Sequence, residues 1–318
     1  MKDLKTVMIR GYGREDGTTG IRNHLVVAAT VFCANHIVDR IAAQVPGTVP
    51  ITHNAGCGQL GTDAENTRDI ILKTGCHPNV GGILYVGLGC EQHGAAALAD
   101  QVAATGKPAA ALDIQACGGT TRTIEKGISA CKDLYGRMAG LGRRVDVPAT
   151  GLIIALECGG SDATSGLAAN PAVGVFTDRM IDAGGTVVFG ETCELTGAEA
   201  VIRNRTCDPL VQDRIISRIH RTEASANAMG VDMRGSQPSP GNIAGGLSTI
   251  EEKSLGAVCK SGNRPITGFL AYGEAISRKG LNFMDCPGQD LTSLCGMISG
   301  GAHLALFTTG RGTPLGYA

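Results

Sequence analysis

Short apolar, β-rich runs alternate with stretches of helical period along this chain, and that alternation restricts the folds open to it. Residues 25–32 (LVVAATVF), 49–53, 82–89 (GILYVGLG) and 108–115 read as strands. Residues 34–45, 63–73, 94–105 and 120–138 between and after them read as helices. Apolar runs spaced by helices are the pattern of a parallel sheet covered on both faces. A polar stretch at 142–148 interrupts the pattern, which then restarts. Strands follow at 151–156, 186–190, 265–272 and 303–307, and helices at 197–204, 209–228 and 247–259. Asn170 and Pro171 read as an N-cap and a first-turn proline of a helix reaching about 183. The expectation is an α/β fold of two Rossmann-like lobes with mostly parallel sheets, residues 1–147 and 148–318.

Charge narrows the function classes. Lys and Arg number 28 and Asp and Glu 29, a net charge of −1. A chain so balanced is a poor partner for nucleic acid or an anionic membrane surface. Aromatics are 3% and Trp is absent, which argues against base stacking. No window of about 20 apolar residues spans a membrane, and Met1-Lys2-Asp3-Leu4-Lys5 precedes no apolar signal core. A cytoplasmic location is expected, and there the 12 cysteines are reduced thiols that bind metal, react or fill space.

The chemistry-bearing residues fall just after the strands, where open α/β sheets bind ligands. These loops hold His53 to Gly58 (HNAGCG), Gly89 to His93 (GCEQH), Gln115 to Thr121 (QACGGTT), Glu157 to Asp162 (ECGGSD), Glu191 to Glu194 (ETCE) and Thr308 to Gly312 (TTGRG). Cys57, Cys90 and Cys158 recur at this position, and three thiolates suit iron, zinc or an iron–sulfur cluster with one metal position left open. A loop cysteine is also a small core filler. His53, beside Asn54 and near Cys57, is a candidate base or ligand. Arg311, with Thr309 beside it, suits carboxylate recognition, and Arg22 before the first strand is a weaker candidate for the same task. Lys253 opens a helix with Glu251 and Glu252 and becomes a base if buried. Gly87-Leu88-Gly89 lacks the third glycine of a dinucleotide turn, and no Walker lysine follows residues 241–246.

These motifs, taken together, resemble the large catalytic portion of the altronate/galactarate dehydratase family. The resemblance covers residues 11–318 and rests on GYGREDGTTGIRN (11–23), Gly56-Cys57-Gly58, VGLGCE (86–91), residues 114–120, ECGGSD (157–162), SGLAANP (165–171), PSPGNIAGGL (238–247), EEKSLG (251–256), residues 284–288 and FTTGRG (307–312). It implies iron-dependent dehydration of a sugar acid to a 2-keto-3-deoxy acid. A related branch resembles the large subunit of sulfolactate sulfo-lyase, which eliminates sulfite. The resemblance also implies a small β-rich domain, here expected as a separate subunit, and a homo-oligomer. The chemistry asks for a base (His53 or Lys253), an acid or further ligand (Glu91 or Glu157) and carboxylate binding by Arg311, Thr309, Asn242 and Arg22. Iron, as Fe2+ or an iron–sulfur cluster, is expected at Cys57, Cys90 and Cys158. Two alternatives remain open: a noncatalytic chain that needs a small-domain partner, and a structural zinc protein.

Overall fold

Leu25, Val27 and Ala29 pack with Ile37, Val38, Ile41 and Leu134 on one side of their strand. Val26 and Ala28 pack with Ile71, Leu98 and Val102 on the other. A strand apolar on both faces is stable only between two helical layers. The structure is a computed structural model that describes residues 3–317. It divides into two units, Ile9–Val147 and Pro148–Tyr317, and residues 3–8 belong with the second.

The N-terminal unit carries β1 (Met8–Gly13), β2 (Thr19–Gly20), β3 (His24–Ala29), α1 (Asn35–Gln44), β4 (Thr48–Ile51), α2 (Thr62–Cys76), β5 (Val80–Gly87), α3 (Ala95–Ala103), β6 (Ala109–Asp113), α4 (Ile114–Cys117), α5 (Thr120–Leu141) and β7 (Arg144–Pro148). Its main sheet has the order β4-β3-β5-β6, with every pair parallel. A second sheet, β2-β1-β7, lies outside the sequence reading, and the polar run at 142–148 becomes its edge strand. β7 buries only Val147 among its five residues, so no apolar run marks it. Instead the Arg144 guanidinium stacks over the Tyr12 ring at 4.1 Å.

The C-terminal unit carries β8 (Ile153–Gly159), α6 (Asn170–Asp182), β9 (Thr186–Phe189), α7 (Glu199–Arg205), α8 (Pro209–Ala228), α9 (Met233–Ser236), α10 (Pro240–Ala244), α11 (Ile250–Val258), β10 (Ile266–Leu270), β11 (Gly280–Met284), α12 (Asp290–Ser299) and β12 (Leu304–Thr309). Its sheet runs β10-β11-β9-β8-β12, again parallel throughout. Both units are therefore α/β with parallel main sheets. β11 went unread because Asn282 interrupts its apolar run. That side chain is fully buried, and its Nδ2 donates to the carbonyls of Arg278 and Gly280. Asn170 is not an N-cap: Ala169 takes that place, after a π-helical turn at Ser165–Ala169. Asn170 is instead a buried strut, donating to the Gly256 carbonyl at 2.9 Å and accepting from Thr308 Oγ1 at 2.5 Å. No helix among the described residues is long and apolar enough to cross a membrane.

Lys107 shows how the N-terminal unit ties off a helix. Its Nζ, almost wholly buried, donates to the carbonyls of Cys76 at 2.5 Å and His77 at 2.7 Å, at the end of α2. Helix C-terminal carbonyls lack partners within the helix, and a cation there also meets the negative end of the macrodipole. Burial nevertheless lowers Lys107 to about 8, with Arg14 adding to the effect. An unfolded lysine titrates near 10.5, so between about pH 8 and 10.5 the unfolded chain binds the extra proton and stability rises with pH. Urea unfolding of wild type and Lys107→Met should show this: the stability advantage of wild type grows across that window. An advantage that shrinks with rising pH would contradict the assignment.

Candidate active site

β8 and β9 end side by side, and their carboxyl ends carry the most chemically loaded cluster in the C-terminal unit. β8 pairs with β9 through Leu156 and Phe189. The next residues are Glu157 and Cys158 on β8, and Gly190 and Glu191 after β9. Glu191 has φ +65°, the left-handed region that a β-free side chain such as glycine favours. Strain of this kind, of order 1–3 kcal/mol, is kept where it aims a side chain at a site. The short turn Thr192–Leu195 then brings Glu194 back toward Cys158. Cys158 Sγ lies 3.5 Å from Glu194 Oε2 and 3.7 Å from Glu191 Oε1.

Two lysines brace these groups from outside. Lys260 Nζ, fully enclosed, is 2.5 Å from Glu191 Oε2 and 3.0 Å from Cys158 Sγ. Lys253 Nζ is 3.0 Å from Glu194 Oε1. Each lysine thus takes one carboxylate oxygen and leaves the other facing the sulfur. Cys158, Glu191 and Glu194 offer three ligand atoms within 4.8 Å of one another and could hold a metal ion. One thiolate and two carboxylates suit a single divalent transition ion, with softness from sulfur and hardness from oxygen. They do not supply the several thiolates that anchor an iron–sulfur cluster. With the thiol ionised, the donors outweigh the two ammonium groups by one negative charge. A divalent ion would reverse that sign and favour an anionic substrate.

Proton positions follow from the surroundings. Burial, reinforced by Glu191, pushes Glu157 up to about 10, so it is a neutral acid at pH 7. Ser293 Oγ donates to its Oε2 at 2.7 Å, and the protonated carboxyl hydrogen-bonds in turn to Glu191. Burial and the neighbouring carboxylates push the Cys158 thiol well up. Burial works against the Lys253 ammonium, but Glu194 outweighs it and holds the group above its usual value.

Lys253 also lines a cleft of about 260 Å³ with Ser161, Asp162, Ser165, Asn170 and Glu252. The π-helical turn and α11 form its walls, and they cross where a Cβ on Gly256 would sit 3.2 Å from Gly166 Cα. Beside it, Asn242 Nδ2 donates to the Ser161 carbonyl at 2.8 Å, and its Oδ1 accepts from Ser239. Arg311, exposed, acts on Asp162 as a nearby positive charge. Thr309 Oγ1 accepts from the Gly312 amide at 3.0 Å. Asn242, Thr309 and Arg311 thus share one loop cluster around Gly160 and Asp162.

Comparison with known proteins bears on this arrangement. Residues 149–318 match the family described as D-galactarate/Altronate dehydratase, C-terminal, and residues 11–139 match D-galactarate dehydratase/Altronate hydrolase, second domain. The chain belongs to the altronate/galactarate dehydratase family. It is 37% identical over 318 residues to altronate dehydratase of Bacillus subtilis (strain 168), covering 96% of this chain and 63% of that protein. It is 36% identical to altronate dehydratase of Escherichia coli (strain K12), again over 96% of this chain and 63% of the relative. It is 34% identical to (2R)-sulfolactate sulfo-lyase subunit beta of Chromohalobacter salexigens, over 99% of this chain and 80% of the relative. The chain thus spans just under two thirds of the altronate dehydratases it matches.

In this member of the altronate/galactarate dehydratase family the motif residues divide between the units. His53, Cys57, Cys90, Glu91 and Arg22 lie in the N-terminal unit, and Glu157, Cys158, Asn242, Lys253, Thr309 and Arg311 in the C-terminal one. Cys57 and Cys90 are exposed, whereas Cys158 is buried and groups with Glu191 and Glu194. His53 has both ring nitrogens bonded to backbone: Nδ1 accepts from the Ala55 amide at 3.1 Å, and Nε2 faces the Ala29 carbonyl at 3.0 Å. Glu91 accepts from Thr30 Oγ1 and from the amides of Gly89 and Cys90. Burial raises it, and those bonds outweigh burial to leave it lowered. Arg22 is exposed, with its Nη1 on the Ile21 carbonyl. Glu191 and Glu194 stood in a strand-end loop that the sequence does flag. Lys260, in a turn after α11, carries no sequence signal.

Lys260→Met removes the cation between Cys158 and Glu191, leaving buried acidic groups uncompensated. The metal-free variant should lose about 3 kcal/mol or more of stability in urea unfolding. Added divalent metal should recover part of that loss in the variant, because it supplies the missing positive charge. A variant as stable as wild type without metal would refute the bracing role.

Proposed function

We propose that the chain is the catalytic part of a hydro-lyase that dehydrates a sugar acid of altronate or galactarate type to a 2-keto-3-deoxy acid. The observation that carries this reading is the Cys158–Glu191–Glu194 triad, joined through Lys253 to a cleft where Ser161, Asp162 and Glu252 stand among apolar walls from Leu167, Leu247 and Leu255. The family membership supports the substrate class. Iron as Fe2+ is the metal proposed for the triad, and bound there it would supply a Lewis acid for the substrate carboxylate and an adjacent hydroxyl.

The chain's own groups account for binding and proton movement. The substrate enters the cleft between the π-helical turn and α11. Lys253, kept as an ammonium by Glu194, gives a proton to the departing C3 hydroxyl, and this assigns it as acid rather than base. Its charge also stabilises the enediolate that forms when the proton α to the carboxylate passes to the Glu252 carboxylate, which lines the same cleft and is held ionised by its bonds from Ser248. Glu157 holds a reserve proton behind the site. Arg311 reads the far carboxylate or hydroxyl end from the rim, with Asn242 fixing the loop beneath it. The proposal makes no use of His53. A small-subunit partner and a homo-oligomer complete the proposed assembly, and the relative named as a subunit beta supports the partner.

A second reading is elimination of sulfite from a sulfolactate-type acid, favoured by the 80% coverage of the sulfo-lyase subunit. Both reactions expel a group β to a carboxylate, so one assay separates them. Chain purified without oxygen and loaded with Fe2+ is offered altronate, galactarate and sulfolactate, with 2-keto acid and sulfite measured. Keto acid from a sugar acid is expected, and Cys158→Ala and Glu194→Gln should each lower it by about 100-fold or more, or about 2.7 kcal/mol in the barrier. Sulfite from sulfolactate alone would move the conclusion to the second reading, and full turnover by Cys158→Ala would remove the triad from the mechanism.

A further inference from the structure

We propose that α8 carries an oxyanion-binding site, apart from the cleft above, whose occupancy is felt at the Glu191–Glu194 turn. Arg214, Arg218 and Arg221 stand at i, i+4 and i+7 of α8, a spacing that brings them to one helix face. With Ser217 and Phe269 of the edge strand β10 they line a cleft of about 290 Å³. The Arg214 guanidinium lies over the Phe269 ring, Cζ 4.1 Å from its centroid. Stacking fixes the guanidinium plane and leaves its N–H groups to point edgewise.

Charge in this cleft is unbalanced. Arg218 Nε pairs with Asp285 Oδ2 at 3.1 Å. Among the described residues Arg214 and Arg221 make no ion pair. Three guanidinium groups share one carboxylate, and like charges on adjacent helix turns repel. A multivalent oxyanion removes that repulsion and offers the acceptor pairs that planar forks bind. The ligand class is therefore a compact, multiply charged phosphate or carboxylate.

A short strut links the cleft to the triad. Asp285, which holds Arg218, also accepts from Thr192 Oγ1 at 2.8 Å. The Thr192 amide donates to the Cys286 carbonyl at 2.9 Å. Thr192 sits between Glu191 and Glu194, so an anion that engages Arg218 changes the hold of Asp285 on the turn carrying both carboxylates. This coupling rests on the reading of that turn as the active site, whereas the binding site does not.

The test is titration of the metal-free full chain with pyrophosphate and, separately, citrate by calorimetry, with amide exchange followed at residues 191–195. Arg214→Gln and Arg221→Gln serve as variants, because both side chains are exposed and neither touches the triad. Saturable binding of one probe per chain is expected, weakened about tenfold by each substitution, and it should slow exchange in the turn. The probe that binds distinguishes a phosphate from a carboxylate ligand. Absence of saturable binding by both probes, or binding unchanged in both variants, overturns the site. Binding without any change at 191–195 overturns the coupling alone.

Discussion

Lys260 places its ammonium where Cys158 and Glu191 would otherwise face one another as buried acidic groups. Charge taken out of water costs several kcal/mol per ion unless a partner is held close. That requirement shapes the surroundings. The turn after α11 must enter the core to deliver the lysine, and Glu191 must adopt a left-handed backbone to meet it. Glu157, next in line, keeps its proton because its burial and the Glu191 carboxylate outweigh the pull of the Lys260 ammonium. The same geometry leaves one oxygen of each outer carboxylate turned toward the sulfur. The arrangement therefore solves an electrostatic problem and presents three metal donors at once.

The parallel sheets explain why this cluster lies where it does. Strands of one direction end on one edge, so their following loops converge there. β8 supplies Glu157 and Cys158, the turn after β9 supplies Glu191 and Glu194, and β12 supplies Thr309 and Arg311 from the other side of β8. Helix α12 adds Ser293 from one layer and α11 adds Lys253 from another segment. Each element brings one or two groups that the others cannot reach.

Much of this was legible from local sequence and some of it was not. The apolar runs of β3, β5, β8 and β9 declare a covered parallel sheet because both of their faces are buried. β7 and β11 stayed hidden because each departs from that pattern, β7 by exposure and β11 by the buried Asn282. Cys158 and Glu157 were visible as residues at a strand end. Glu191 and Glu194 were visible in the same way, but their pairing with Cys158 and Lys260 was not, because they lie more than 30 residues away along the chain and Lys260 about 100, and only the folded sheet sets those distances to 2.5–3.7 Å. Recurrence at strand ends grouped Cys158 with Cys57 and Cys90. Cys57 and Cys90 follow strands of the N-terminal sheet, whereas Cys158 lies in the C-terminal one, where Glu191 and Glu194 follow the strand beside it.

X-ray absorption on the Fe2+-loaded chain tests the central claim most directly, because it counts the atoms bound to the metal. A site built from Cys158, Glu191 and Glu194 predicts one sulfur neighbour, the remainder oxygen, and no short iron–iron vector. Three or more sulfur neighbours, or an iron–iron vector, would contradict it and transfer the metal to a cysteine-held cluster.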